Sequence, residues 1–320
     1  MLTPEAIDTV VRGALAEDAP WGDITSELLI PAEAQATARL VAREAGLFSG
    51  GEVFAAAMLA VDAALLIGLV VADGARFAPG DTLATVTGSA RSVLRGERVA
   101  LNLVQRMSGI ATETARYVDE VAGTRARIVD TRKTTPGLRA LERHAVRCGG
   151  GHNHRFSLSD AVLAKDNHLA VLASRGVGVT EALQGLRAKL SHTTHLEVEV
   201  DEAEQIEPVL AGGVDTIMLD NFALDALRAG VAQVAGRALV EASGNVSLAT
   251  VRAIAETGVD VISVGALTHS VRALDLGIDI GLELSVGPAR DAAAVEPASS
   301  HESGSSAVAP AGRESERALP

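Results

Sequence analysis

Beyond Gly123 the chain alternates short aliphatic runs with amphipathic segments, and nearly every run stops on a polar residue. Candidate stops are Asp130, Lys165, Glu199, Asp220, Glu241 and Val264, the last four at near-equal intervals that hold a strand, a helix and two loops. A strand that is apolar throughout and alternates with helices must be covered on both faces, the condition of a parallel sheet. Aromatic residues make up only 2% of the chain, so its core has to be aliphatic, as such strands provide. Six units of this kind predict an α/β barrel, complete or partly open, with room for another strand in the two long gaps.

The first third lacks that regularity and reads as mixed α and β. Residues 4–17 place Ile7, Val10, Val11 and Leu15 on one helical face. Residues 22–26 read as a turn leading into a strand, 36–44 as a strand and 51–59 as a helix. Two short strands, near 65–73 and 82–87, are expected around the turn dipeptides Asp73-Gly74 and Pro79-Gly80. Residues 53–72 approach the length of a membrane span, but Asp62 among them would cost roughly 2.5–3.5 kcal/mol in a bilayer. A helix, a break and a buried strand is the expected reading there. From about 92 to 122 Val99, Leu103, Met107, Ile110 and Val118 recur at helical steps, predicting one long helix closed by Gly123. Arg95, Arg98 and Arg106 fall on its polar face and are expected to be solvated. Residues 288–320 are Ala, Ser, Glu, Gly and Pro without a periodic apolar face, and are expected to be disordered.

Positive charge concentrates in one stretch. The formal net charge is −13, yet residues 131–168 hold seven Lys/Arg against three acids, with four of the eight His. Solvated faces explain most such runs. Here, however, Arg132 and Lys133 follow one aliphatic run and Lys165 ends another, where buried strands would stop. In barrels of this kind polar residues at strand ends meet at the C-terminal mouth, the place of the active site. That mouth would collect Arg132, Lys133, Lys165, Glu199, Asp220, Ser243-Gly244-Asn245 and Gly265-Ala266. Crowded guanidinium groups need something anionic between them, and their fork matches carboxylate or phosphate oxygens two at a time. The expected ligand is therefore small and multiply anionic.

Glu197 and Glu199 lie two apart and so share one face of a strand; Lys165 or Arg132 would be their partners, and an internal salt bridge is the alternative role. Ser243-Gly244-Asn245 precedes a helix expected at 247–257, and Gly265-Ala266 one at about 266–275. Free backbone N–H groups at such helix starts suit a phosphate.

Other chemistries find no anchor. A pI near 5.1 without a basic tail argues against nucleic acid as a partner. A single cysteine, Cys148, excludes an internal disulfide framework and fits a reducing compartment. The N-terminus has no basic region before an apolar core, so a cytoplasmic protein is expected. Cys148, His152 and His154 lack the paired spacing of zinc sites, and glycines 149–151 point instead to a loop packed on a ligand or on backbone.

The motifs TRKTTPGLR (131–139), GGGHNHR (149–155), KDNH (165–168), EVE (197–199), MLDNF (218–222), EASGN (241–245) and SVGALTH (263–269), in this order, resemble the quinolinate phosphoribosyltransferase family. The likeness runs from about residue 23 to 274. It implies an N-terminal α/β sandwich domain over 1–110, rejoined by about 275–287, an open α/β barrel over 111–275, and a tail over 288–320. It implies transfer of phosphoribosyl from phosphoribosyl pyrophosphate to quinolinate with decarboxylation, giving nicotinate mononucleotide, pyrophosphate and CO2 in de novo NAD synthesis. Mg²⁺ is the implied cofactor, and a homodimer with shared sites the implied assembly. By that resemblance Arg132, His154, Arg155 and Lys165, with Thr131, would hold quinolinate, and Arg98, in ERVALN, would reach across the dimer. Lys133 with Ser243, Gly244, Asn245, Gly265 and Ala266 would hold phosphate oxygens; Glu199 and Asp220 would serve ribose, metal and the charge growing on the anomeric carbon. The aliphatic run 64–71 and residues 156–160 depart from the family pattern without touching a proposed ligand. Two alternatives are a paralogue associated with molybdenum uptake and a non-catalytic protein that binds an anionic metabolite.

Overall fold

The structure, a computed structural model, describes residues 2–283; the tail expected at 288–320 lies outside the described residues. Five strands precede the long helix: β1 (Gln35–Ala42), β2 (Gly46–Leu47), β3 (Leu66–Leu69), β4 (Arg76–Phe77) and β5 (Thr82–Ser89). Seven follow it among the described residues, the first six being β6 (Arg127–Val129), β7 (Val162–Ala164), β8 (Leu196–Val200), β9 (Thr216–Asp220), β10 (Leu239–Ser243) and β11 (Val261–Ser263). The last, β12 (Leu276–Glu283), returns to the first sheet, whose order is β12-β1-β5-β3. Its pairing with β1 is antiparallel, Ala42 opposite Leu276 and Gln35 opposite Glu283. Alternation buries Ala36, Ala38 and Leu40 on one face of β1, as a half-covered antiparallel sheet requires.

The helix Ala90–Glu120 joins the two layers. Ser89 caps it by accepting the Ser92 N–H, and Val93, Ala100, Val104, Met107 and Ala111 are buried along it. It packs on the helices Gly51–Val61 and Arg139–Cys148 and on β5 and β12. Gly109 permits the closest approach: a Cβ there would lie 2.2 Å from the Arg272 carbonyl oxygen. The chain crosses at that point toward β12, held by Leu274 N–H to Gln105 O and by the Gln105 amide to Leu276 O.

The second sheet is parallel throughout, in the order β6-β11-β10-β9-β8-β7. β6 and β7 are its edges, so the barrel is open. No further strand fills the long gaps among the described residues. Instead His152 bridges Val129 on the free edge of β6, donating its N–H to Ile128 O at 2.8 Å. The helices Asp166–Ser174 and Val179–Arg187 occupy the gap before β8.

Several expectations are corrected. Residues 24–29 form a helix rather than a strand start, because the Asp23 carboxylate accepts the Ser26 N–H and caps it. Residues 53–72 divide as expected into a helix and a strand, with Asp62 at the break accepting Ala64 N–H, but β3 is an exposed edge strand rather than a buried one, Leu66 and Leu69 standing 71% and 48% exposed; no helix among the described residues is long and apolar enough to cross a membrane. β10 ends at Ser243, so Glu241 lies inside the barrel rather than at its mouth. The helices expected at 247–257 and 266–275 shrink to Val251–Ala255 and Ala266–His269. A Ser247–Thr250 turn delays the first, and the second must release the chain to cross Gly109.

Candidate active site

Parallel strands share one end, and the register decides who meets whom there. Ala164 pairs with Val198, which sets Lys165 beside Glu199, and their side chains form an ion pair. Asp220 pairs with Ser243 on the next strand. A cleft of about 440 Å³ opens over these ends, lined by Thr131, Arg132, Lys133, His154, Arg155, Lys165, Glu199, Asp220 and Ser243, with Ser263. Leu163 and Met218 give it an apolar wall. Lys133, Lys165, Glu199 and Asp220, the four residues expected to carry the catalysis, and all the proposed substrate ligands except Arg98 line it. Arg98 is exposed on the long helix and lies outside the cleft lining.

Each cation is placed by buried scaffolding. Asp130, fully buried, accepts from the His154 N–H at 2.8 Å and the Asn153 amide at 2.6 Å, fixing the segment that carries His154 and Arg155. Burial raises the Asp130 pKa, and Arg143 at 3.4 Å opposes that rise. Arg155 spends one N–H on Ala161 O, while its Nε and that of Arg132 are buried without a protein partner. Burial first, and the Arg132 charge second, lower the Arg155 pKa. Two close guanidinium groups with unspent donors are a receptor for anionic oxygens.

Lys133 is positioned through Arg106, which sequence reading left solvated. Arg106 donates to buried Glu142 at 2.6 and 2.8 Å, to Thr135 Oγ1 at 2.9 Å and to Thr268 O at 2.7 Å. Glu142 accepts the Thr135 N–H, and Thr268 Oγ1 donates to Lys133 O. The loops 131–135 and 265–269 thus hang on one ion pair. A Cβ on Gly265 would stand 3.2 Å from Lys133 Cδ, so this glycine keeps the two loops close. Nothing in the sequence of Arg106 separates it from Arg95 or Arg98. Only the i,i+3 and i,i+4 periodicity, followed closely, would have turned it inward.

Of the residues proposed for phosphate, Lys133 and Ser243 line the cleft; Gly244, Asn245, Gly265 and Ala266 do not. Gly244 (φ +89°) and Asn245 (φ +51°) turn the loop sharply, and Asn245 donates to Asn221 Oδ1, whose amide donates to Asp220 Oδ2 at 2.7 Å. This chain of amides orients the Asp220 carboxylate.

Below the cleft, Glu197 and Glu241 point inward and meet His154 Nε2 at 3.0 and 3.7 Å. The two carboxylates pull the ring pKa up against burial, but Nδ1 accepts the Arg155 N–H at 2.7 Å, so the geometry gives a neutral ring with its proton on Nε2. Glu241 is pushed up to about 8, by burial first and the Glu197 charge second, which favours its neutral form. The period of two in LVEAS puts Glu241 on the Ser243 face, a signal that sequence reading passed over. Glycines 149–151 pack on the long helix, a Cβ at Gly149 falling 2.4 Å from Ala111 O. Cys148, His152 and His154 form no common cluster.

Glu199 and Asp220 offer only oxygen donors from adjacent strands in an open cleft. That donor set suits Mg²⁺, which takes one or two carboxylates and completes its shell with water and substrate phosphates.

Family models for the N-terminal and C-terminal domains of quinolinate phosphoribosyl transferase match residues 23–108 and 110–279. A Mycobacterium leprae protein described as nicotinate-nucleotide pyrophosphorylase (carboxylating) is 45% identical over 285 residues, 86% of this chain and 98% of that one. A Nicotiana tabacum quinolinate phosphoribosyltransferase (decarboxylating), described as mitochondrial, is 40% identical over 296 residues, 87% of this chain and 83% of that one. Among solved structures, NadC from Streptococcus pyogenes superposes with a TM-score of 0.83 at 40% identity, covering 88% of this chain and 99% of its own. A nicotinate-nucleotide pyrophosphorylase from Francisella tularensis gives 0.81 at 34% identity, covering 88% and 98%. With both of its domain models matched in order, this chain belongs to the quinolinate phosphoribosyltransferase family.

Proposed function

We propose that the chain transfers phosphoribosyl from phosphoribosyl pyrophosphate to the ring nitrogen of quinolinate and releases CO2, yielding nicotinate mononucleotide and pyrophosphate for NAD synthesis. The observation that carries this reading is the pairing, across one cleft, of Arg132 and Arg155 with buried unspent donors and the acidic ends of β8 and β9. The first pair fits a dicarboxylate; the second fits a sugar whose anomeric carbon becomes cationic. Thr131, His154 and Lys165 complete the quinolinate side, and Lys133 with Ser243 faces phosphate oxygens. Gly244, Asn245, Gly265 and Ala266 would act on phosphate only through backbone N–H groups.

In the transfer, the bond from C1′ to pyrophosphate breaks as the ring nitrogen approaches, and positive charge spreads over C1′ and the ring oxygen. Glu199 and Asp220 stabilise that charge electrostatically, in a cleft where fixed dipoles act more strongly than in water. Lys165 neutralises Glu199 before substrate enters. Glu199 and Asp220 would hold Mg²⁺, which supplies neutralisation of the pyrophosphate charge. Once alkylated, the ring nitrogen is cationic. The bond from C2 to its carboxylate then breaks, the electron pair stays on C2 beside that nitrogen, and a proton from water replaces CO2. Leu163 and Met218 provide apolar surface that favours losing the charged group.

We further propose a cytoplasmic homodimer, with residues 1–110 and 275–283 serving as the layer that lends Arg98 to the neighbouring barrel; residues 284–287 of the expected return lie outside the described residues. Supporting an interface, Trp21, Ile24, Leu28 and Leu29 are exposed together on and beside the helix Ile24–Leu29. The test of function is Mg²⁺-dependent formation of nicotinate mononucleotide from quinolinate and phosphoribosyl pyrophosphate, with nicotinate offered in parallel. Product from quinolinate alone is expected; no product from folded protein would refute the reading.

A further inference from the structure

Three donors of different chemistry meet away from the active-site cleft. His144 and Cys148 stand four apart on the helix Arg139–Cys148 and so share a face. Asp73 comes from the turn between β3 and β4, in the other layer. Asp73 Oδ2 lies 2.6 Å from His144 Nε2, Cys148 Sγ lies 3.4 Å from the same nitrogen, and Sγ lies 3.8 Å from Oδ2. All three ligand atoms fall within 4.8 Å of one another.

The pattern separates two kinds of chemistry. In a nucleophilic triad the acid and the thiol take opposite ring nitrogens, so that one orients the ring and the other is activated. Here both converge on Nε2, which is how ligands surround an ion. Zinc bonds of about 2.0 Å to N and O and 2.3 Å to S give tetrahedral edges of roughly 3.3–3.6 Å. The sulfur–nitrogen and sulfur–oxygen separations already come close to that, and the oxygen–nitrogen pair has to open by roughly 0.7 Å.

We propose that Asp73, His144 and Cys148 form a binding site for a thiophilic divalent cation, zinc fitting it best, with water as fourth ligand. The thiolate and imidazole favour zinc over magnesium or calcium, which take oxygen shells. Groups behind the ligands hold them in place. The Gly50 and Gly51 N–H groups donate to Asp73 Oδ1 at 3.0 and 2.9 Å, and buried Ser49 donates its hydroxyl to Sγ at 3.3 Å. Such partners orient ligands and stabilise their charged forms. The side chains of Asp73 and His144 are 27% and 29% exposed, enough for an ion to enter and a water to stay. A proton on Nε2 competes for the position: Asp73 first, and the thiol second, hold the His144 ring up to about 10.

The consequence reaches the substrate loops. The helix that supplies two ligands also supplies Glu142 and Arg143, which brace residues 131–135 and 153–155. An ion at this point fastens that helix to the antiparallel layer. Because Cys148 is the only cysteine of the chain, thiolate-to-metal absorption can come from nowhere else. The full chain, stripped by a chelator, is titrated with Co²⁺ and followed in the near ultraviolet, then with Zn²⁺ while melting is recorded. The expected result is a charge-transfer band that saturates at a single equivalent of cobalt and is displaced by zinc, and a melting temperature that rises by several degrees with zinc. Cys148→Ser abolishes both, and His144→Gln, which keeps the thiol and serves if the serine variant misfolds, weakens cobalt binding at least tenfold. No band in the native chain, or an unchanged zinc-induced rise in Cys148→Ser, or full cobalt affinity in His144→Gln, overturns the site.

Discussion

Replacing Glu142 with Gln removes one charge and almost no volume, and its effect can be worked through from contacts. Glu142 is 1% exposed and receives three hydrogen bonds, two from Arg106 and one from the Thr135 N–H, while Arg106 keeps 29% exposure. Breaking a buried ion pair costs about 3–5 kcal/mol, because the remaining charge stays desolvated. Partial exposure of Arg106, and the acceptor that Gln retains, bring the expected loss to about 2–3 kcal/mol. At roughly 2–4 °C per kcal/mol for a chain of this size, the melting temperature falls by about 4–12 °C. Catalysis should fall further than stability explains. With its amide turned either way, Gln sets an N–H against Arg106 or against Thr135, and the loop that carries Lys133 shifts; a displacement near 1 Å can cost about a hundredfold in rate. The informative companion is the double change Arg106→Met with Glu142→Leu. Apolar replacement of a buried pair commonly restores stability, yet the bonds to Thr135 and Thr268 stay lost. The double variant should regain most of the melting temperature and stay at least tenfold slow at saturating quinolinate. Recovery of both, or a loss below about 1 kcal/mol in the single variant, would refute the view that this pair positions the loops.

Three further outcomes are expected. Glu199→Gln and Asp220→Asn should each lower turnover by at least a hundredfold with quinolinate affinity within a few-fold of normal; unchanged turnover would favour a binding protein over an enzyme. Inactive Arg98→Ala mixed with inactive Lys165→Ala should regain part of the activity after subunit exchange, and no recovery despite proven exchange would place Arg98 outside the shared site. Glu241, held up to about 8 when folded against an ordinary 4.5, binds its proton more tightly in the native state. It therefore favours folding fully below about 4.5 and loses that contribution as pH rises through about 8. Glu241→Gln should flatten the fall in melting temperature between pH 5 and 8, and an identical fall in the variant would remove Glu241 as its source.

What could be read in advance follows from which forces are local. Strand ends are announced by an aliphatic run that stops, so Lys165, Glu199 and Asp220 could be placed at one mouth before any pairing was known. The long helix was legible because Val99, Leu103 and Met107 recur at helical steps. The residues that sequence hid act at long range. Arg106 reaches Glu142 and Thr268, 36 and 162 positions away, and Asp130 reaches Asn153 and His154 across the open edge of the barrel. The short helix at Ile24–Leu29 escapes sequence reading for the opposite reason: six residues are too few to establish a period, and its one signal, Asp23 as cap, reads equally well as a turn. Glu241 reads as a strand end because a carboxylate inside a barrel violates the usual cost of burial; the position is tolerable because burial raises its pKa toward the neutral form, beside His154 and Glu197.

The crowding of Arg132 and Arg155 leads to a final expectation about specificity. Two guanidinium groups so close that the Arg132 charge adds to burial in lowering the Arg155 pKa, each with a buried N–H unspent, hold repulsion that only an anion relieves. A dicarboxylate can answer both at once, whereas nicotinate, with one carboxylate, leaves one guanidinium facing its twin. A charge-assisted hydrogen bond is worth about 1.5–3 kcal/mol, so quinolinate should bind about 10–150-fold more tightly than nicotinate. The gap should narrow as salt screens the exposed part of the interaction. Arg155→Lys keeps the charge but loses the fork, and should bring the two ligands within about tenfold of each other by lowering quinolinate affinity alone. Isothermal titration of both ligands at two salt concentrations decides it. Equal affinities in the native chain would mean that the second carboxylate is held elsewhere, and that the paired arginines serve the phosphates instead.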